Sequence, residues 1–116
     1  MQGRMGLMGR RATDTQGVLK DIKTRLREAF GDRLRAVVLH GSEARGEGGP
    51  DSDIDVLVLL DGPVDSWNDV KTCSDAVYPL ILRIGRTIDA MPVDVKRYEE
   101  GEAPLYANAR REGVTL

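Results

Sequence analysis

A chain of 116 residues holds one domain, large enough to bury roughly 65% of its unfolded surface around one core and too small for two. Hydrophobic residues at 41% and charged residues at 31% are ordinary for a soluble globular domain, and a net charge of −2 excludes a general electrostatic attraction for nucleic acid. Cys73 is the only cysteine, which rules out an internal disulfide, and no apolar run approaches the ~20 residues needed to cross a bilayer or resembles the middle of a signal peptide. These features point to a reducing cytoplasm.

In chain order, residues 1–13 mix Gly, Met and Arg without a period and read as a flexible N-terminal arm, leaving 14–116 as the domain. Over 14–30, Val18, Leu19, Ile22, Leu26, Ala29 and Phe30 recur at helical spacing. Asp14 or Thr15 can cap this helix and Gly31 ends it. Its charged face, with Lys20, Lys23, Arg25, Arg27 and Glu28, is a solvated face with no chemistry assigned. Residues 35–40 form the first predicted strand. His40 closes it, and with no partner at metal-ligand spacing it reads as structural.

The loop 41–52 contains Gly46, Gly48, Gly49 and Pro50, so its later part is irregular. Gly41 and Ser42 form a tight turn, and 42–45 can make one helical turn with amides free to face a phosphate. Arg45 can neutralise phosphate oxygens or simply be solvated. The second strand opens with Asp53 and Asp55, and alternation along a strand puts both carboxylates on one face with Ile54 on the other. Two neighbouring carboxylates repel unless a cation lies between them. Magnesium suits such hard oxygen ligands and leaves room for substrate phosphates.

Asp61-Gly62-Pro63 is a turn. A helix follows from 65 or 66, with Trp67, Val70, Ser74, Val77 and Ile81 on one stripe and Cys73 and Leu80 beside it. Pro79 is expected to kink or split that helix, and Gly85 to close it. A third strand over 86–93, Asp94 as a turn or helix cap, and helices over 95–100 and 103–111 complete the reading.

Gly41-Ser42, ten intervening residues, then Asp53-Ile54-Asp55 resembles the signature of the polymerase-β-type nucleotidyltransferase superfamily. The string GSEARGEGGPDSDIDVLV is closer still to its minimal nucleotidyltransferase, MntA-like antitoxin branch, and GRTID and PLYANARREGV resemble that branch too. The resemblance runs from about Leu19 to the C-terminus. It implies an α+β fold: a small polymerase-β-like domain with a mixed sheet of at least three strands and helices packed on it. It further implies transfer of a nucleoside monophosphate, AMP from ATP, to a hydroxyl acceptor, with two Mg2+ ions on three carboxylates. Asp53 and Asp55 supply two. Asp89, in the pattern Gly85-Arg86-Thr87-Ile88-Asp89, is chosen as the third, serving as metal ligand and possible base, with Asp94 as the alternate. Gly41, Ser42 and Arg45 would hold the nucleotide phosphates. The branch implies an all-helical HEPN-type partner protein to which the small protein is antitoxin, and self-association into a homo-oligomer is the other expectation, with residues 104–116 as the docking segment. A non-catalytic antitoxin acting by occlusion, a small-molecule nucleotidyltransferase, and a phosphate-ester hydrolase using the same Asp-x-Asp are the competing readings.

Overall fold

The computed structural model describes residues 15–116; the predicted arm and the candidate cap Asp14 lie outside the described residues. Helix α1, Thr15–Phe30, buries Val18, Leu19, Ile22, Leu26 and Phe30, the stripe its sequence period marks out. Ala29, predicted on that stripe, is exposed at its edge. A 3-10 turn at Gly31–Arg33, entered through a left-handed Gly31 at φ 59°, leads into strand β1, Leu34–His40. One helical turn, α2 (Gly41–Ala44), and the Gly-rich loop precede β2, Ile54–Leu60. Then come α3 (Asn68–Ile84), β3 (Ile88–Asp94), α4 (Val95–Glu100), α5 (Pro104–Glu112) and a two-residue strand β4, Val114–Thr115.

The four strands form one mixed sheet in the order β3-β2-β1-β4. β1 runs antiparallel to β2 and β4, while β2 and β3 are parallel, joined by the α3 crossover. Both faces of the sheet carry packed helices, which is why β2 reads as a continuous apolar run rather than an alternating one. Ile54, Val56, Val58 and Leu60 pack with α1 and α3 in the larger core. Leu57 and Leu59 point to the opposite face, where Val38, Val93, Tyr98 and Ala109 form a smaller core under α4 and α5. That second layer covers only part of its face. The residues of β2 and β3 nearest the Gly-rich loop lie beyond it.

Helix α3 departs from the predicted stripe. Its buried face is Asp69, Cys73, Ala76, Val77 and Leu80, whereas Trp67 is 77% exposed and Val70 also faces solvent. The helix is apolar on two sides, so period alone did not select the one that meets the core. Pro79 does not split it: α3 runs unbroken to Ile84, and both Pro79 and Asp75, four residues earlier, are on the exposed side, where a carbonyl without an intrahelical donor is tolerated. Asp65 organises its start, accepting from the amides of Trp67 and Asn68 at 2.9 Å each. Gly85, at φ 71°, closes it.

The 104–116 segment is largely exposed but anchored at three points. Tyr106 packs edge-on against Tyr98 with ring centroids 6.1 Å apart, Ala109 is buried, and Leu116 packs against the larger core. Leu105 and Val114 alone of its apolar side chains are exposed large hydrophobics. Of the residues named for the docking segment, Leu105 and Val114 are thus accessible, while Tyr106 and Leu116 pack against the two cores.

Candidate active site

The register of the sheet places the predicted carboxylates. In the parallel pair Asp55 is opposite Asp89, and in the antiparallel pair Asp55 is opposite His40. Neighbouring strands are about 5 Å apart, so His40, Asp55 and Asp89 form one row across three strands. Asp53, two residues before Asp55, shares its side of the chain. All four have the parity of Leu57 and Leu59, but they extend past the cover of α4 and α5 to the open end of that face. Asp53 and Asp89 are exposed and Asp55 is half-buried.

Asp55 is the electrostatic centre of the row. Burial first, and then the charges of Asp89 and Asp53, push its carboxyl above the usual range, with His40 opposing. Asp89 and Asp53 are thus close enough for their charges to act on Asp55. Among the described residues, no three carboxylate, imidazole or thiol groups converge closely enough to form a ready-made metal cluster. The donor chemistry still fits a hard divalent cation, since the acidic groups are oxygen donors whose mutual repulsion a cation would relieve.

Gly41 begins the turn beside this row. Its φ of 73° is in the left-handed region, and a β-carbon there would stand 2.8 Å from Asp55 Oδ2. The turn is thereby pressed directly onto the central carboxylate. Ser42 follows in α2, and its carbonyl accepts from the Glu47 amide at 2.8 Å, folding the loop back on the turn. Farther along, Ser52 Oγ accepts from the Gly49 amide at 2.9 Å and the Ser52 amide donates to the Gly49 carbonyl at 3.1 Å. Proline and glycine at 48–50 thus form a closed turn delivering the chain to Asp53.

Arg45 is exposed and engaged elsewhere: its Nε donates to Glu47 Oε1 at 3.1 Å, and Nη1 is 3.9 Å from Glu112 Oε1. Asp94 is five residues from Asp89, about 16 Å along the strand, and has the opposite parity. Its side chain accepts from the Lys96 amide at 2.9 Å as the cap of α4. Of the two competing carboxylates, Asp89 is the one beside Asp55. His40, read as structural, borders Asp55 directly, a neighbourhood that only strand register could reveal. Also outside the sequence reading is the ion pair of Arg86 with Glu43, both largely buried beneath the loop. The crevice of about 570 Å³ at the other end of the sheet, lined by Asp32, Arg33, Asp61, Asp65 and Asp69, has no part in this arrangement.

A model of the nucleotidyltransferase domain matches residues 19–109. The chain belongs to the nucleotidyltransferase-domain family. The match spans every residue of the carboxylate row and the Gly41-Ser42 turn. No curated protein matches this sequence. Among solved structures, this nucleotidyltransferase domain is similar to the spectinomycin adenyltransferase AAD(9) from Enterococcus faecialis with ATP and spectinomycin, at TM-score 0.69 and 17% identity. That likeness covers 88% of this chain and 55% of the other, so the domain spans about half of that enzyme. It is also similar to a toxin-antitoxin with AMP-PNP, at TM-score 0.56 and 18% identity, covering 81% of this chain and 68% of that one. A third is a mutant form of the toxin-antitoxin MntA-HpeT, at TM-score 0.58 and 18% identity, covering 84% of this chain and 70% of that one. At these identities the likeness establishes the shared polymerase-β-like fold, consistent with the mixed sheet and its helices.

Proposed function

We propose that this nucleotidyltransferase domain transfers a nucleoside monophosphate, AMP from ATP, to a hydroxyl acceptor. The observation that carries the reading is the Asp55–Asp89 pairing across parallel strands with Asp53 alongside, at the open end of a sheet face and against the left-handed Gly41 turn. Solved structures of the same fold that hold ATP or AMP-PNP support the choice of donor.

In this reading Asp53, Asp55 and Asp89 hold two Mg2+ ions, which when bound would neutralise the triphosphate and the charge on the attacking and leaving oxygens during displacement at the α-phosphorus. The chain's own contribution is placement. Gly41 lets the backbone approach the phosphates where a β-carbon would intrude, and Ser42 offers its amide and hydroxyl. Asp89, exposed and at the edge strand, is the carboxylate best placed to accept a proton from an incoming hydroxyl. Arg45 would have to release Glu47 and Glu112 to reach a phosphate.

The acceptor is assigned to a partner protein, an all-helical HEPN-type toxin for which this chain acts as antitoxin in the cytoplasm. Support comes from the similarity to toxin-antitoxin structures and from the exposure of Asp53 and Asp89 at the open end of their sheet face. Among the described residues no helix is long and apolar enough to cross a membrane.

The test is transfer of label from α-labelled ATP, with magnesium, to the protein encoded beside this one. Wild type is expected to label it, and Asp53→Asn, Asp55→Asn and Asp89→Asn are each expected to abolish labelling while remaining folded. Undiminished transfer by Asp55→Asn overturns the site. Neutralisation of the partner with no label transferred would replace catalysis by occlusion.

A further inference from the structure

Three residues before Asp89, the Arg86 side chain is only 12% exposed and reaches across two other segments. Its Nε donates to the Ser52 carbonyl at 3.0 Å, and its Nη2 donates to Glu43 Oε1. Ser52 directly precedes Asp53, and Glu43 directly follows Ser42. One planar cation thus touches the flank of the phosphate turn and the entry to β2 from its own place two residues before β3. Glu43 is 13% exposed and enclosed from the loop side as well, because a β-carbon on Gly48 would run into its carboxylate.

Taking two charges this far out of water costs desolvation that their attraction offsets only with good geometry and further hydrogen bonds. An apolar pair of similar volume would fill the space without that cost. What an apolar pair cannot do is fix direction. The guanidinium fork donates along two defined lines at once, to a carbonyl and to a carboxylate, which a lysine ammonium on a flexible stem does not reproduce. Arg45, three residues from Ser42, is by contrast exposed and joined to exposed carboxylates.

We infer that Arg86 and Glu43 are a positioning pair that sets the Gly41-Ser42 turn and Asp53 in register with Asp89, so that phosphate-holding and carboxylate groups face a common space. Neither residue touches substrate. The inference rests on the nucleotide-transfer reading for the use of that alignment; the ordering of the turn and Asp53 against Asp89 is a property of the fold that can be read without nucleotide.

Binding of AMP-PNP with magnesium to the full chain, measured by calorimetry, tests it. Arg86→Met and Glu43→Gln are each expected to weaken affinity about tenfold, and the double variant to be no weaker than Arg86→Met alone, as for two residues acting as one unit. Arg86→Lys is expected to recover only part of the loss. A merely structural pair would lower the melting temperature and leave the affinity of the folded protein unchanged, and affinities within twofold of wild type for Arg86→Met and Glu43→Gln overturn the inference. Asp55→Asn separates the two levels: if it loses binding while the Arg86 and Glu43 variants keep it, the site stands and the positioning role falls. If wild type itself binds no AMP-PNP, the nucleotide reading fails, and amide exchange decides the positioning role alone. Arg86→Met should then speed exchange over residues 41–53 and leave α1 and α3 unchanged; no change over 41–53 overturns it. Should Arg86→Met not fold, Arg86→Lys and Glu43→Gln carry both measurements.

Discussion

At Gly41 two constraints coincide: a left-handed backbone that strains any side chain, and a carboxylate oxygen of Asp55 that a β-carbon would have to displace. Gly41→Val is therefore expected to lose magnesium-dependent nucleotide affinity far more than Ser42→Ala; equal, wild-type-like affinities by titration would place the phosphates elsewhere. Asp55 carries a cost of its own. Its folded carboxyl titrates above its unfolded value, so ionisation destabilises the fold above that raised value and the cost is relieved as pH falls through it. Asp55→Asn should accordingly melt no lower than wild type at pH 7 without metal, and should lose the gain in melting temperature that magnesium and ATP confer. Asp69 has the opposite sign. It is 5% exposed, accepts from Arg33 Nη1 and Nη2 at 3.0 Å each and from the Asp65 amide at 2.9 Å, and the Arg33 hydrogen bond holds its carboxyl below the usual range. That stabilisation is present above the unfolded carboxylate value of about 4 and is lost as pH falls through the lower folded value. Asp69→Asn is expected to cost about 2 kcal/mol in denaturant melts at pH 7, discounted for a partner that is partly solvated, and less at pH 3.

Among the elements, β3 separates two aspartates that the sequence left in competition. Asp94→Ala removes the cap of α4 and is expected to cost about 1 kcal/mol of stability with nucleotide affinity unchanged, whereas Asp89→Ala should spare stability and abolish transfer; denaturation and labelling on both variants check this. Helix α5 makes a second claim. Arg110 donates to the carbonyls of Tyr98 and Gly101 and lies over the Tyr98 ring at 5.9 Å, tying α5 to α4 across their connection. Arg110→Ala should raise amide exchange over 95–112 while α1 and α3 stay protected, because the two layers belong to separate cores. The stripe of α1 and the cores of β1, β2 and β3 were legible because period and apolar run agree there. The inward face of α3 was not, since Val70, Tyr78 and Leu82, with Trp67 at its cap, make the solvent side apolar as well. β4 was missed because two residues carry no period; its place comes from pairing with Val38 and Leu39.

The whole molecule is asymmetric about its sheet: α1 and α3 cover one face along its length, and α4 and α5 cover part of the other. The spacing of Gly41-Ser42 and Asp53-Ile54-Asp55 was visible in the chain, but the meeting of Asp89 and His40 with Asp55 is a product of strand order and register. Arg86 and Glu43 are 43 residues apart with no local pattern to join them, so their pairing needed the fold. With the carboxylates at an open end, nucleotide binding should act as a stabiliser of the folded state: at a hundredfold excess over its dissociation constant, ATP with magnesium is expected to add about 2.7 kcal/mol, read as a rise in melting temperature that chelation abolishes. Exposed Tyr78 and Leu82 on α3, with Trp67 just before its first turn, lie on the far side of the sheet from the carboxylates. If the proposed transfer to a partner holds, the acceptor hydroxyl arrives from the α4–α5 side, where the carboxylate row opens.

The parallel pairing of β2 with β3 also sets which length changes this domain can survive. Between Asp55 and Asp89 the chain makes a full crossover, yet the two must arrive opposite one another, with Arg86 and the Ile54 amide's bond to the Thr87 carbonyl fixing the last steps. One residue added in the short link between Gly85 and β3 would present Asp89 to the α1–α3 core and Ile88 to solvent, exchanging a carboxylate for a hydrophobe on both faces at once. The same residue added to the exposed turn at 61–63 can be absorbed before α3 begins. Natural insertions and engineered epitopes are thus admissible on one side of this helix and inadmissible on the other, a polarity that sequence variation in length, rather than in identity, would record.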